Sequence, residues 1–240
     1  MRLHRFYISE KIGVKTEITV NSVELVNQIQ RVFRLKKGDM VITFDGSGLD
    51  FECEIVGLEK EAVALKVIKS EPSRFVPKRE VYLYQALVKK DNFEWIVEKA
   101  TELGVTHIIP VMAERSEKKS LNEERLKKIA IEASEQSGRS DVPTIGQIMK
   151  LEDVILATSG TVNLKRLVFH TEGLNFATYQ LTNNAVKTSL VGIFIGPEGG
   201  WSEKEIELFH KNNMDIVCLG NQVLRSETAV IAALSRVVLE

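Results

Sequence analysis

Leu190-Val191-Gly192-Ile193-Phe194-Ile195 runs straight into Gly196-Pro197-Glu198-Gly199-Gly200-Trp201-Ser202. The first six residues form an unbroken apolar run, suited to a strand covered on both faces as in a parallel sheet. The next seven read as a turn and a helix start. Three glycines let backbone approach a ligand closely. Ser202 and Glu205 have the spacing of a capping box, and Trp201 and Ile206 that of a hydrophobic staple. Strand, tight turn and capped helix in that order make one unit of an open α/β sheet, whose ligands bind at the carboxyl ends of the strands. A tight turn with a good cap and no ligand is the plain alternative.

The same rhythm extends to both sides. Val81 to Leu87 reads as a strand. Asp91 to Leu103 reads as a helix, with Phe93, Ile96, Val97, Ala100 and Leu103 on one face, Asp91 as N-cap and Gly104 as the stop. Val105 to Val111 is a second strand and Asn122 to Ser137 a helix. Leu167 to Phe169 is a short strand. Beyond the opening stretch, a helix at Glu203, a strand at Ile216 to Leu219 and a helix ending at Val238 complete the alternation. The pattern predicts a mostly parallel sheet with helices on both sides.

Before residue 73 the period is two. Phe51, Cys53 and Ile55 alternate with acids, Val63, Leu65 and Val67 repeat the pattern, and Thr16 to Asn21 is β-rich. Asp45-Gly46-Ser47-Gly48 supplies a tight turn. One helix interrupts, with Ser22 as cap and Val23, Val26, Ile29 and Phe33 at helical spacing. Short strands with tight turns suggest a small β-barrel. Glu71 to Pro77, with two prolines, reads as a linker between two domains, 1–72 and 73–240.

Composition narrows the function. The 240 residues carry a net charge of −1, so the surface is not uniformly basic, and RNA binding would need a local patch. Residues 1–72 hold 11 basic and 11 acidic side chains, so that patch must come from segregation in the fold. No apolar run reaches the roughly 20 residues of a membrane helix, and Met1 to Glu10 does not read as a secretory signal. Cys53 and Cys218 read as thiols in a reducing cytoplasm. The scattered histidines argue against a metal site.

A second junction resembles the first in design. Leu219-Gly220-Asn221-Gln222-Val223-Leu224-Arg225-Ser226-Glu227-Thr228-Ala229 follows a strand and opens a helix buried through Val230, Ile231, Leu234, Val237 and Val238. Ser226 can cap that helix. Arg225 precedes it, either poised for a ligand or held in a surface ion pair. Arg115, Lys118, Lys119, Arg125, Lys127 and Lys128 sit among acids; a solvated charged face is the default and phosphate contact the alternative. A phosphate loop, a Rossmann glycine fingerprint and a nucleophile elbow are all missing from the sequence.

Five segments in order resemble one family. They are His4-Arg5-Phe6, Lys99 to Val105 followed by Pro110, Glu135-Gln136-Ser137-Gly138-Arg139, Ile195 to Trp201, and Leu219 to Ala229. The chain resembles the RsmE family, bacterial 16S rRNA uridine-N3 methyltransferases of the SPOUT superfamily. The resemblance implies a PUA-like RNA-binding β-barrel over 1–72. Over 73–240 it implies an α/β SPOUT domain with a parallel sheet and a deep trefoil knot. It also implies a homodimer, S-adenosylmethionine (SAM) as cofactor, and 16S rRNA or the small ribosomal subunit as partner. Ile195, Gly196, Gly199, Gly200, Leu219, Gly220, Leu224 and Ser226 would line the SAM pocket, with His170 and Thr171 beside it. Arg225 would face the target base as the catalytic residue. Arg5, Arg139 and Glu198 are the substrate-binding candidates, and Glu198 or Glu227 could take the proton from the base. Where the family commonly has a basic residue, this chain has Gln222. A related methyltransferase acting on another RNA, or a non-catalytic RNA-binding protein of the same fold, would keep much of this pattern.

Overall fold

Alternation before residue 73 produces strands with one buried edge of side chains. These are β1 (Arg5–Tyr7), β2 (Glu17–Asn21), β3 (Met40–Phe44), β4 (Leu49–Leu58) and β5 (Ala62–Pro72), paired in the order β1-β3-β4-β5-β2. β1 runs parallel to β3, and the other pairs are antiparallel. Phe51, Cys53, Ile55, Val63 and Leu65 all point into one core with Phe6, Ile18 and Val41, as the period-2 pattern requires. β5 continues to Pro72, which pairs with Leu49, so the strand occupies the start of the expected linker. A proline is tolerated there because the strand end needs no further N–H donor. This computed structural model describes residues 3–75, 77, 79–116, 120–183 and 190–238. Lys118, Lys119 and Val76 lie outside them.

The interrupting helix differs from its expected form. α1 (Val23–Asn27) is capped by the Ser22 hydroxyl, which accepts from the Leu25 N–H at 3.2 Å. It then widens into a π-turn over Gln28–Val32, closed by Phe33 N–H to Gln28 carbonyl at 3.0 Å. Val26 and Ile29 are buried as expected, with Phe33 half-buried against the same core; Leu25 joins them, and Val23 is exposed.

The chain divides into two compact units, residues 1–76 with 134–142, and residues 77–133 with 143–240. The added segment of the first unit is tied to its strands. Glu135 accepts from the Tyr7 N–H at 2.8 Å and from Gln28 Nε2 at 3.1 Å.

After β5 the elements run β6 (Glu80–Ala86), α2 (Lys90–Glu102), β7 (His107–Met112), α3 (Glu123–Ser137), whose last four residues belong to the first unit, β8 (Thr144–Ile145), β9 (Met149–Lys150), α4 (Leu151–Ser159), β10 (Leu164–Asn175), α5 (Phe176–Asn183), β11 (Leu190–Ile195), α6 (Glu203–Lys211), β12 (Asp215–Cys218) and α7 (Ser226–Val238). The sheet order is β12-β10-β11-β6-β7-β8, with every pair parallel. β11 lies at the centre, buried along nearly its whole length, as its apolar run predicts. On one face Tyr84, Phe194, Leu151, Val154, Trp201 and Phe209 form a common core; α7 packs against α2 and β11. α2 starts one residue earlier than expected: Lys89 is the N-cap, and Asp91 sits inside the first turn, where its charge still favours the positive end of the helix. Gly104, at φ +97°, ends the helix as expected.

Parallel pairing puts all the carboxyl ends at one edge. Ile195, Gln85 and Pro110 lie side by side there, and Phe169 is level with Ile195. From β6 the chain goes one way to β7, while β11 and β10 lie on the other side. The edge between β6 and β11 is therefore the switch point at which open α/β sheets leave a crevice.

Candidate active site

The first glycine loop leaves β11 at this crevice. Pro197 to Gly200 forms a turn closed by Gly200 N–H to Pro197 carbonyl at 2.9 Å, with Gly200 at φ +68°. A Cβ on Gly196 would lie 3.3 Å from the Trp201 indole, so that ring leaves room for glycine only by close approach. Trp201 is buried and packs edge-on against Phe209 at 5.1 Å, with Ile206 at the margin of the same cluster. The capping box forms as read: Ser202 N–H donates to Glu205 at 2.7 Å, and the Ser202 hydroxyl accepts from the Glu205 N–H at 3.3 Å.

The second loop leaves β12 through Leu219 and Gly220, the latter at φ +153°. Ser226 does not cap α7 but is its first residue, and its hydroxyl works elsewhere. It donates to the Gly196 carbonyl at 2.7 Å and accepts from Gln85 Nε2 at 2.9 Å. One buried hydroxyl thus ties the second loop to the first and both to β6. The sequence reading missed Gln85, although a lone amide in the run Val81 to Leu87 was a signal: a fully buried amide needs partners.

Arg225 stands on the exposed side of this junction. Its carbonyl accepts from the Ala229 N–H at 2.8 Å, which anchors the backbone. Its guanidinium makes no hydrogen bond or ion pair among the described residues. Leu224 is exposed beside it and Val223 is 85% exposed. Gln222 is exposed on the same loop.

Three buried polar atoms here have no partner among the described residues: Gln85 Oε1, Trp201 Nε1 and Glu227 Oε2. Gln85 touches Ser226, Trp201 abuts Gly196, and Glu227 follows Ser226. Orphaned buried groups are uncommon and call for an explanation. Two acceptors and a donor beside glycine loops fit a small ligand carrying both amino and acceptor groups, as SAM does. Among the described residues no group of three metal-ligating side chains comes together, and no helix is long and apolar enough to cross a membrane.

His170 and Thr171 start a bulge at the same edge. Phe169 and Leu174 both pair with Val217, leaving the four residues between them outside the ladder. His170 Nδ1 accepts from the Glu172 N–H at 3.2 Å, and neither residue is hydrogen-bonded to a glycine loop. Gly173 closes the bulge tightly. A Cβ there would lie 2.5 Å from the Val217 carbonyl carbon and 2.6 Å from its Cα and N. Backbone cannot swing aside as a side chain does, so β12 itself would have to move. Gly173→Ala should destabilise the protein by about 1–3 kcal/mol and also weaken ligand binding through the displaced second loop. Denaturant unfolding beside SAM titration checks this; an unchanged unfolding midpoint would contradict the close packing.

The three substrate-binding candidates have intramolecular partners. Glu198 accepts from the Lys89 N–H at 3.3 Å and so serves the start of α2. In the first unit, Arg5 holds Asp50 with two nitrogens, at 3.0 and 2.6 Å, and also donates to the Ser140 hydroxyl and the Arg139 carbonyl. Arg139 holds Asp141 at 3.1 and 2.6 Å. Both arginine side chains are almost fully buried, at 6% and 3% exposure. As placed they hold the barrel, and contact with a ligand would require these pairs to open. Cys53 is buried against Thr43 and Cys218 is half-buried; both are free thiols.

A family model described as an RNA methyltransferase domain matches residues 76–238, and one described as an RNA methyltransferase PUA domain matches residues 26–68. The chain is 31% identical to the ribosomal RNA small subunit methyltransferase E of Rickettsia conorii, over 99% of this chain and 96% of that protein. It is 33% identical to the protein of that name from Bacillus subtilis, over 89% and 87%. A solved structure of a ribosomal RNA small subunit methyltransferase E from Neisseria gonorrhoeae, bound to S-adenosyl methionine, superposes with a TM-score of 0.88 at 25% identity, covering 98% of this chain and 96% of that one. With a PUA domain ahead of a parallel α/β domain and likeness from end to end, the chain belongs to the ribosomal RNA small subunit methyltransferase E family.

Proposed function

We propose that this chain is a SAM-dependent methyltransferase that modifies N3 of a uridine in 16S rRNA of the small ribosomal subunit. The observation that carries the reading is Arg225, exposed and with no side-chain partner among the described residues, next in the chain to the Ser226 that ties the two glycine loops together. Family membership supports the enzyme class and the cofactor. When bound, SAM supplies a methyl group on a sulfonium, ready for in-line displacement by a nucleophile.

This chain's residues do the rest. Gly196, Gly199, Gly200, Leu219, Gly220 and Leu224 bind through backbone and shape, and Ile195 and Ser226 fix the floor. Uridine N3 is a poor nucleophile until it loses its proton, and the resulting charge spreads onto the base carbonyl oxygens. A guanidinium is always cationic and offers several donors, so Arg225 stabilises that charge. Of the two carboxylates considered for the proton, Glu198 is engaged with Lys89, whereas Glu227 keeps one oxygen without a partner among the described residues. That favours Glu227 as acceptor.

N3 lies on the pairing edge of the base, so the target is an exposed, unpaired uridine. The PUA domain holds the surrounding RNA. The enzyme acts in the cytoplasm as a homodimer, its SPOUT domain closed by the trefoil knot. Exposed Val223 and Leu224 on the second loop support a partner subunit covering the site. The deciding assay is methyl transfer from labelled SAM to unmodified small subunits, followed by nucleoside analysis. The expected product is 3-methyluridine. Another methylated nucleoside would keep the enzyme and change its target, and failure to bind SAM would sink the reading.

A further inference from the structure

We infer that Arg115 is a positioning residue that holds the first glycine loop in its ligand-ready form and thereby sets the affinity for SAM. The inference rests on the function proposed above.

The turn after β7 is closed on itself. Ser116 N–H donates to the Ala113 carbonyl and Ala113 N–H to the Ser116 hydroxyl, both at 3.1 Å. This small rigid unit is fastened to the loop after β11. Glu114 N–H donates to Glu205 at 2.9 Å, and the Ser202 hydroxyl donates to the Glu114 carboxylate at 2.8 Å. Arg115 then reaches over the loop. Its Nη1 donates to the Gly199 carbonyl at 2.9 Å and to the Trp201 carbonyl at 3.4 Å. Its stem lies so close to Gly199 that a Cβ there would sit 3.3 Å from the Arg115 Cβ.

Gly199-Gly200 is the most pliable part of the site, since neither residue has a side chain to limit its backbone. Ser226 fixes the loop at Gly196, and Glu205 fixes it at Ser202. Between those anchors Arg115 is, among the described residues, the one charged donor to the loop carbonyls. Holding a loop in its bound conformation before the ligand arrives raises affinity without adding a contact. A cation weighed from sequence as solvated or phosphate-facing is here turned onto the backbone of its own chain.

The test compares the full-length chain with Arg115→Met and Arg115→Lys. Calorimetry gives the Kd for SAM, steady-state assays give KM for SAM and for small subunits, and thermal unfolding gives Tm. Arg115→Met should raise both the Kd and the KM for SAM about tenfold. Saturated kcat, KM for the subunit and Tm should stay close to wild type. Arg115→Lys should recover part of the affinity, since an ammonium can serve one carbonyl. Unchanged SAM affinity with a raised KM for the subunit would make Arg115 a phosphate contact and overturn the inference. An equal loss in both variants together with a lowered Tm would also overturn it, in favour of a merely structural role. Wild-type protein that binds no SAM would instead remove the function on which the inference rests.

Discussion

Replacing Arg225 by alanine should slow methyl transfer by about a hundred- to a thousandfold, the effect of removing a donor aimed at developing negative charge. SAM affinity should change by less than about threefold, under 1 kcal/mol. The structure makes this a clean test. The guanidinium is exposed and has no partner among the described residues, so truncation leaves no buried group unsatisfied. The Arg225 carbonyl, which accepts the Ala229 N–H, is supplied by any residue. Folding and both glycine loops should therefore survive. Arg225→Lys should recover only part of the rate, because an ammonium keeps the charge and loses the planar fork that spans two oxygens. Single-turnover rates with excess enzyme, measured beside SAM titrations, separate the outcomes. Loss of SAM binding would make Arg225 a cofactor or structural residue; an unaltered rate would move the catalytic role elsewhere.

The parts of this site that were legible in the sequence are those whose causes are local. The apolar run at β11 fixed its bounds to the residue, and the spacing of Ser202 and Glu205 named their own capping box. The same local logic misassigned Ser226. Its cap-like position was visible, but its partners, Gly196 and Gln85, stand 30 and 141 residues away. The charges of Arg5 and Arg139 were equally plain and their use was not, because Asp50 is 45 residues from Arg5 and the 134–142 segment joins the barrel only through the fold. The apolar residues Leu167 to Phe169 mark only part of β10, which runs to twelve residues. The polar stretch His170 to Gly173 hides its continuation, which depends on Val217 pairing twice. α4 and α5 are not legible in the sequence. α4 has a buried face shared with Tyr84 and Phe194, and only the packed sheet identifies that stripe as core.

Asp50→Ala should cost the protein about 3–5 kcal/mol of stability at neutral pH, the usual result of leaving a buried charge without its partner. Arg5 is 6% exposed and Asp50 17%, and the Ser140 hydroxyl donates to Asp50 as well as accepting from Arg5. After the substitution the guanidinium keeps, among the described residues, Ser140 and the Arg139 carbonyl as its hydrogen-bond acceptors, and its Nε already has no partner there. That unmet donor also marks the pair as an imperfect one, worth less in net terms than its removal costs. A joint Arg5→Met and Asp50→Leu replacement should therefore restore much of the loss. The pH dependence follows from the carboxyl. Burial pushes its pKa up, but hydrogen bonds from Arg5 and Ser140 outweigh this and hold it below the ordinary carboxylate value. A lowered folded-state pKa gives stability that is fully present above the unfolded value, about 4, and is lost as pH falls through the folded value. Urea unfolding should show the gap between wild type and Asp50→Ala at its widest near pH 7 and narrowing below about pH 4. A gap under about 1 kcal/mol at neutral pH would place this pair among ordinary surface bridges. A gap that did not change with pH would assign the loss to packing, with no part for the carboxylate charge.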